Sequence, residues 1–167
     1  RQLRDRLTSC DRDLILVKQI KVREGKMKTV KQMIEEKAQE LLFVSPSQTV
    51  LEALGLMDQH DIGALVVLDD RQLVGIFSER DYARKVILLG KSSKDTLVSE
   101  IMTTKVMFVV PENTVDECMA LMTKKRVRHL PVVSTNQTVG VISIGDIVKE
   151  MISEQKFIIN QLEQYIR

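Results

Sequence analysis

Apolar residues return along this chain in two alternating rhythms, and the alternation happens twice. The β-prone run Leu42-Phe43-Val44 is stopped by Pro46, after which Val50, Ala53, Leu54 and Met57 recur at helical spacing. Residues 64–68 and 73–78 then read as two strands joined by the turn-forming Asp69-Asp70-Arg71, and a helix predicted over 81–89 closes the unit. The same order returns downstream. A β-prone run at 107–110 is stopped by Pro111, Val115, Cys118, Met119 and Met122 make a helical stripe, and strands follow at 130–133 and 139–143 around Ser134-Thr135-Asn136. A helix then starts at Asp146. Thr49-x-x-Glu52 and Thr114-x-x-Glu117 open the first helix of each copy with a capping box, which satisfies the N–H groups that a helix start leaves without partners.

Displaced by 65 residues, positions 43–87 lie over 108–152 without a gap, and 16 of the 45 are identical. This is a duplication. Neither copy alone is long enough to bury much core, so the two are expected to complete each other. The predicted fold class is α+β, two β-α-β-β-α repeats forming one module with terminal extensions. The predicted segments are an N-terminal extension at 1–26, repeats at 27–92 and 93–152, and a C-terminal helix at 153–167. Met27 reads as a natural start, because TVKQM at 29–33 is similar to LVSEI at 97–101, and residues 1–26 then need not be native. The last helix is predicted to run on to Ile166. Its stripe of Met151, Ile158, Leu162, Tyr165 and Ile166 calls for cover from the protein's own core or a partner chain.

Each repeat ends in the same candidate chemistry, GIFSERD at 75–81 and GVISIGD at 140–146. A glycine, two apolar strand residues and a serine precede an aspartate at a helix start, an arrangement that suits a nucleotide. The N–H groups and dipole of a helix N-terminus favour phosphate, to which Ser78 and Ser143 add a hydroxyl donor. Asp81 and Asp146 are placed to accept from ribose hydroxyls, and Gly75 and Gly140 let the chain approach closely. Serine and aspartate could also do no more than cap the helix. Recurrence at identical spacing favours binding.

These endings, with RHLPV at 128–132, resemble the CBS-domain family, named after cystathionine β-synthase. The resemblance implies a pseudo-twofold pair of repeats with clefts between them, and Ser78, Asp81, Ser143 and Asp146 holding phosphate and ribose. It implies adenine contacts at Met102, Val106, Leu130 and Pro131 in one cleft, and at Leu42, Ile62 and Ala64 in the other. Arg80, Arg84, Arg128 and His129 could supply donors around a phosphate or pyrophosphate, although Arg84 and Lys85 read equally as a solvated helix face and His129 could instead be a satisfied strand histidine. The first copy has ALV at 64–66 where the second has HLP, so the clefts are not expected to be equivalent. SERDYARK at 78–85 resembles stand-alone CBS-pair proteins of bacteria and organelles. The family binds AMP, ADP, ATP, S-adenosylmethionine or NAD(H). The expected ligand here is an adenine nucleotide, AMP or NAD(H) before ATP, with no metal. CBS pairs associate through their helices, so a homodimer is expected.

Composition narrows the alternatives. Aromatics are 4% of the chain and Trp is absent, so the core must be aliphatic, with eight Met. The net charge of +2 is too small to indicate nucleic-acid binding, although residues 1–26 hold eight Lys/Arg against four Asp/Glu. Cys10 and Cys118 make neither a disulfide framework nor a metal cluster, which suits a reducing compartment. No apolar run approaches the ~20 residues of a membrane span, and no secretory signal appears. A cytoplasmic location is expected, with an organellar matrix as the alternative. His60 and His129 are the only histidines, and no nucleophile with a base, paired carboxylates or ligand cluster surrounds them, so an enzyme is not expected. The expected role is a regulatory sensor that signals to a protein partner or through self-association. The alternatives are a scaffold with a structural nucleotide, or a nucleic-acid binder using the basic arm.

Overall fold

A computed structural model describes residues 28–37 and 40–166, with Tyr165 and Ile166 described by backbone alone. The basic arm, Cys10 and Met27 lie outside the described residues. The elements run α1 (Val30–Lys37), β1 (Phe43–Val44), α2 (Val50–His60), β2 (Ala64–Asp69), β3 (Gln72–Ser78) and α3 (Glu79–Tyr82), which continues into a π-helical turn (Ala83–Ile87). Then come α4 (Val98–Ile101), α5 (Val115–Lys125), β4 (His129–Ser134), β5 (Gln137–Ser143) and α6 (Ile144–Ile166).

The local signals act as read. Thr49 and Thr114 accept from Glu52 N and Glu117 N at 3.2 and 3.3 Å, and their own N–H groups donate to the Glu52 and Glu117 carboxylates at 2.7 and 2.9 Å. Helices α2 and α5 end on left-handed Asp61 and Arg126. Both hairpins turn on two left-handed residues, Asp70-Arg71 and Thr135-Asn136, the backbone hand that matches strand twist. Both also carry a bulge, between Val67 and Leu68 and between Val132 and Val133.

The copies diverge at their first strands. β1 pairs parallel with β2 through Phe43↔Val66 and Val44↔Val67. The strand predicted at 107–110 reduces to the single bridge Val109↔Val132. Pro131 stands where the first copy has Val66, and with no N–H it cannot extend the ladder back toward Met107.

The helices preceding the repeats are exchanged. Thr29 bridges Thr114, and Val30 N donates to Asn113 O at 2.9 Å. Thr49 bridges Leu97, and Val98 N donates to Gln48 O at 2.9 Å. Val30 and Met33 of α1 therefore complete the core of the second repeat with Val115, Cys118, Met122, Leu130, Ile142 and Ile147. Val98 and Ile101 of α4 complete that of the first, with Val50, Ala53, Met57, Leu65, Phe77 and Val86. The buried Cys118 thiol is pushed up to about 11 by burial and by Glu117, so it is an unreactive core group.

Candidate functional site

Ser143 closes β5 and Asp146 sits in the first turn of α6. Ser143 N and Oγ each donate to Asp146 Oδ2 at 2.8 Å, and Asp146 N donates back to Ser143 Oγ at 3.1 Å. Lys37, arriving on the exchanged α1, donates to the same Oδ2 at 3.0 Å. Oδ1 takes none of these bonds. Burial opposes ionisation of Asp146, but the bonds from Ser143 and Lys37 outweigh it and hold the carboxyl below the usual aspartate range. The pair lines a cleft of about 450 Å³ together with Leu42, Ile62 and Ala64.

The first repeat builds the same pair differently. Ser78 N and Oγ donate to Asp81 Oδ2 at 3.1 and 2.7 Å, and Asp81 N donates to Ser78 Oγ at 3.3 Å. Here Oδ1 is engaged as well. It accepts from Thr103 Oγ1 at 3.0 Å and pairs with Lys85 Nζ at 2.8 Å. Lys85 Nζ also donates to Ile101 O at 2.7 Å, which fixes it in place. This second cleft, about 390 Å³, is lined by Arg80, Arg126 and Arg128 together with Glu79 and Asp81. Gly63, His129 and Ser143 line both clefts and so form their common wall. Burial, and after it the Arg128 guanidinium, hold His129 below the usual histidine range, so its ring is neutral at neutral pH.

A family model, the CBS domain, matches residues 30–87 and again 98–153. The chain belongs to the CBS-domain family. The CBS-domain protein CBSX3, mitochondrial, of Arabidopsis thaliana is 42% identical over 131 residues, covering 75% of this chain and 64% of that protein. The chain thus spans just under two thirds of that relative. The crystal structure of the CBS-domain containing protein ATU1752 from Agrobacterium tumefaciens superposes with a TM-score of 0.70 at 38% identity, over 74% of this chain and 99% of the other. The CBS pair of MJ0100, crystallised with 5′-methylthioadenosine and S-adenosyl-L-methionine, gives a TM-score of 0.67 at 25% identity, over 77% of this chain and 99% of that one.

In this CBS pair the residues singled out by sequence separate into three groups. Leu42, Ile62, Ala64, Ser143, Asp146 and His129 come together around the larger cleft. Ser78, Arg80, Asp81 and Arg128 come together around the other. The remaining five line neither. Leu130 and Pro131 are buried, Leu130 as part of the core. Met102 packs against the first core, Val106 is half-buried, and Arg84 points into solvent. Gly140 lines the larger cleft, and both glycines also serve the packing. A Cβ at Gly75 would lie 2.5 Å from Met102 Sδ, and one at Gly140 2.9 Å from Ile34 Cδ1, so each glycine makes room for a side chain of the exchanged helical segments. Sequence reasoning missed Lys37, Thr103 and Lys85, and left Arg126 out. The similarity of 29–33 to 97–101 was the one signal that α1 mattered. The helix read as 81–89 starts at Glu79, because Ser78 is its N-cap and Asp81 its third residue, and Leu88 N→Ala83 O at 3.1 Å turns its second half into a π-helical turn. Among the described residues no group of His, Cys, Asp and Glu is arranged to hold a metal. No helix there is long and apolar enough to cross a membrane.

Proposed function

We propose that this CBS pair is a regulatory module that binds an adenine nucleotide and performs no chemistry on it. The observation that carries the reading is the Ser143–Asp146 pair, whose Oδ1 takes none of the bonds made by Ser143 and Lys37, on a cleft that Leu42, Ile62 and Ala64 also line. A ribose diol has two donors for that carboxylate, and an adenine ring has two flat faces for Leu42, Ile62 and Ala64. About 450 Å³ falls within the usual volume of small-ligand sites, about 300–1,000 Å³. MJ0100, with both its ligands containing adenosine, supports the same class. AMP, ATP and NAD(H) are the nucleotides to test. The relative named as mitochondrial keeps an organellar matrix beside the cytoplasm as the place of action.

Binding to the folded chain alone stabilises it by about 2.7 kcal/mol at a hundredfold ligand excess over Kd. For a chain of this length that raises the melting temperature by roughly 5–10 °C. Thermal melts with AMP, ATP and NAD(H) are expected to show this rise with at least one of them and little with GMP. Unchanged melts with all three contradict the reading.

A sensor signals through a partner, and we take the first partner to be a second copy. Met151, part of the stripe read from sequence, is half-buried against the second core, whereas Val148, Ile152, Ile159 and Leu162 are 46, 47, 54 and 39% exposed. Their spacing along α6 keeps to a heptad seam of the coiled-coil kind. Sedimentation at tens of micromolar is expected to give a dimer, and truncation after Ser153 to shift it toward monomer. A monomeric parent contradicts self-association, and an unchanged dimer after truncation excludes a seam that needs Ile159 and Leu162.

A further inference from the structure

The two Ser–Asp pairs share a sequence pattern but differ in one atom. Asp146 Oδ1 takes none of the bonds that Ser143 and Lys37 make, whereas Asp81 Oδ1 already accepts from both Thr103 and Lys85. Lys85 is further held by the Ile101 carbonyl, so displacing it from Asp81 would break a bound network. A ribose diol needs the oxygen that Lys85 holds. The cleft around Asp81 therefore lacks a sugar acceptor, yet it is rich in positive charge. With Asp81 neutralised by Lys85, three guanidiniums, Arg80, Arg126 and Arg128, face the one carboxylate of Glu79. Clustered guanidiniums of this kind suit phosphate oxygens.

The clefts adjoin, since Gly63, His129 and Ser143 line both. From this we infer that they form a single site with divided labour. Adenosine sits on Asp146, and a di- or triphosphate tail crosses the wall at Ser143 and His129 to reach Arg80, Arg126 and Arg128. Lys85 is the specificity-determining residue that keeps a second nucleoside out. The inference rests on the nucleotide reading above and adds to it the phosphate length, the stoichiometry and the reason for both.

Calorimetric titration of the intact chain with adenosine, AMP and ATP tests it. One ATP is expected to bind per chain, at least about tenfold more tightly than AMP, the scale of added charge-assisted bonds. Arg128→Ala is expected to bring ATP to within roughly threefold of AMP while leaving adenosine unchanged, since the removed donor meets only the tail. Lys85→Met, which keeps the aliphatic stem, is expected to open a second AMP site. Two ATP per parent chain, or ATP no tighter than AMP, overturns the division of labour but leaves nucleotide binding standing. If none of the three compounds binds, the nucleotide reading fails and this inference with it. Arg128 is exposed, so its variant remains informative if the Lys85 variant does not fold.

Discussion

Replacing Phe77 by alanine is expected to destabilise the chain by about 3–5 kcal/mol, the range for deleting a buried aromatic side chain. Phe77 is 0% exposed and is the largest fully buried side chain among the described residues. Its ring shares a core with Val44, Leu65 and Val86 of its own repeat and with Val98 and Ile101 of the exchanged α4. The hole left by alanine would remove contacts from both. Domains have only about 5–15 kcal/mol of stability in total, so this one change consumes a large part of it. Leu51→Ala is the companion measurement. Leu51 is 46% exposed on α2, and its truncation is expected to cost less than about 0.5 kcal/mol. Urea denaturation followed by circular dichroism compares the two through their midpoints at unchanged slope. A cost below about 1 kcal/mol for Phe77→Ala would contradict the packing of the first core.

What the sequence revealed of this fold was what is local and periodic. Thr49 and Glu52 lie three residues apart, as do Thr114 and Glu117, so each capping box is complete within one turn. The hairpins were legible because Asp70-Arg71 and Thr135-Asn136 sit between apolar runs. The exchange of α1 and α4 was not, because pairing Thr29 with Thr114 depends on chain path rather than pattern. TVKQM and LVSEI looked equivalent in sequence, but nothing local says which core each completes. In the second copy the run read as a strand met Pro131, whose missing N–H matters only once its partner is known.

The candidate site divides along the same line. Ser78, Asp81, Ser143 and Asp146 were found because their spacing repeats. Leu130 and Pro131 lie in a continuous apolar run in which period two is invisible, so sequence could not tell the core face from a cleft face. Lys37 and Lys85 sit on helices where a lysine ordinarily reads as a solvated charge. Only the fold shows that one reaches Asp146 across 109 residues while the other holds Asp81 one turn away.

Replacing Asp146 by alanine is expected to weaken adenine-nucleotide binding by about 2 kcal/mol or more, the scale for losing hydrogen bonds to a charged group. The aspartate does two things at once, and the variants separate them. It caps α6 by accepting from Ser143 N and Oγ, a role whose loss costs about 1 kcal/mol of stability. It also leaves Oδ1 out of those bonds for the proposed ribose, a role that stability does not report. Asp146→Asn keeps the shape and a carbonyl acceptor for the cap but removes the charge, so it should melt closer to the parent than Asp146→Ala while still binding poorly. Whether this carboxylate holds the ribose is decided by titrating parent and Asp146→Asn with ATP in the same calorimeter under the same buffer. The predicted result is a parent that binds and a variant at least about thirtyfold weaker, which is 2 kcal/mol expressed as a ratio. Equal affinity in the two proteins would contradict the claim.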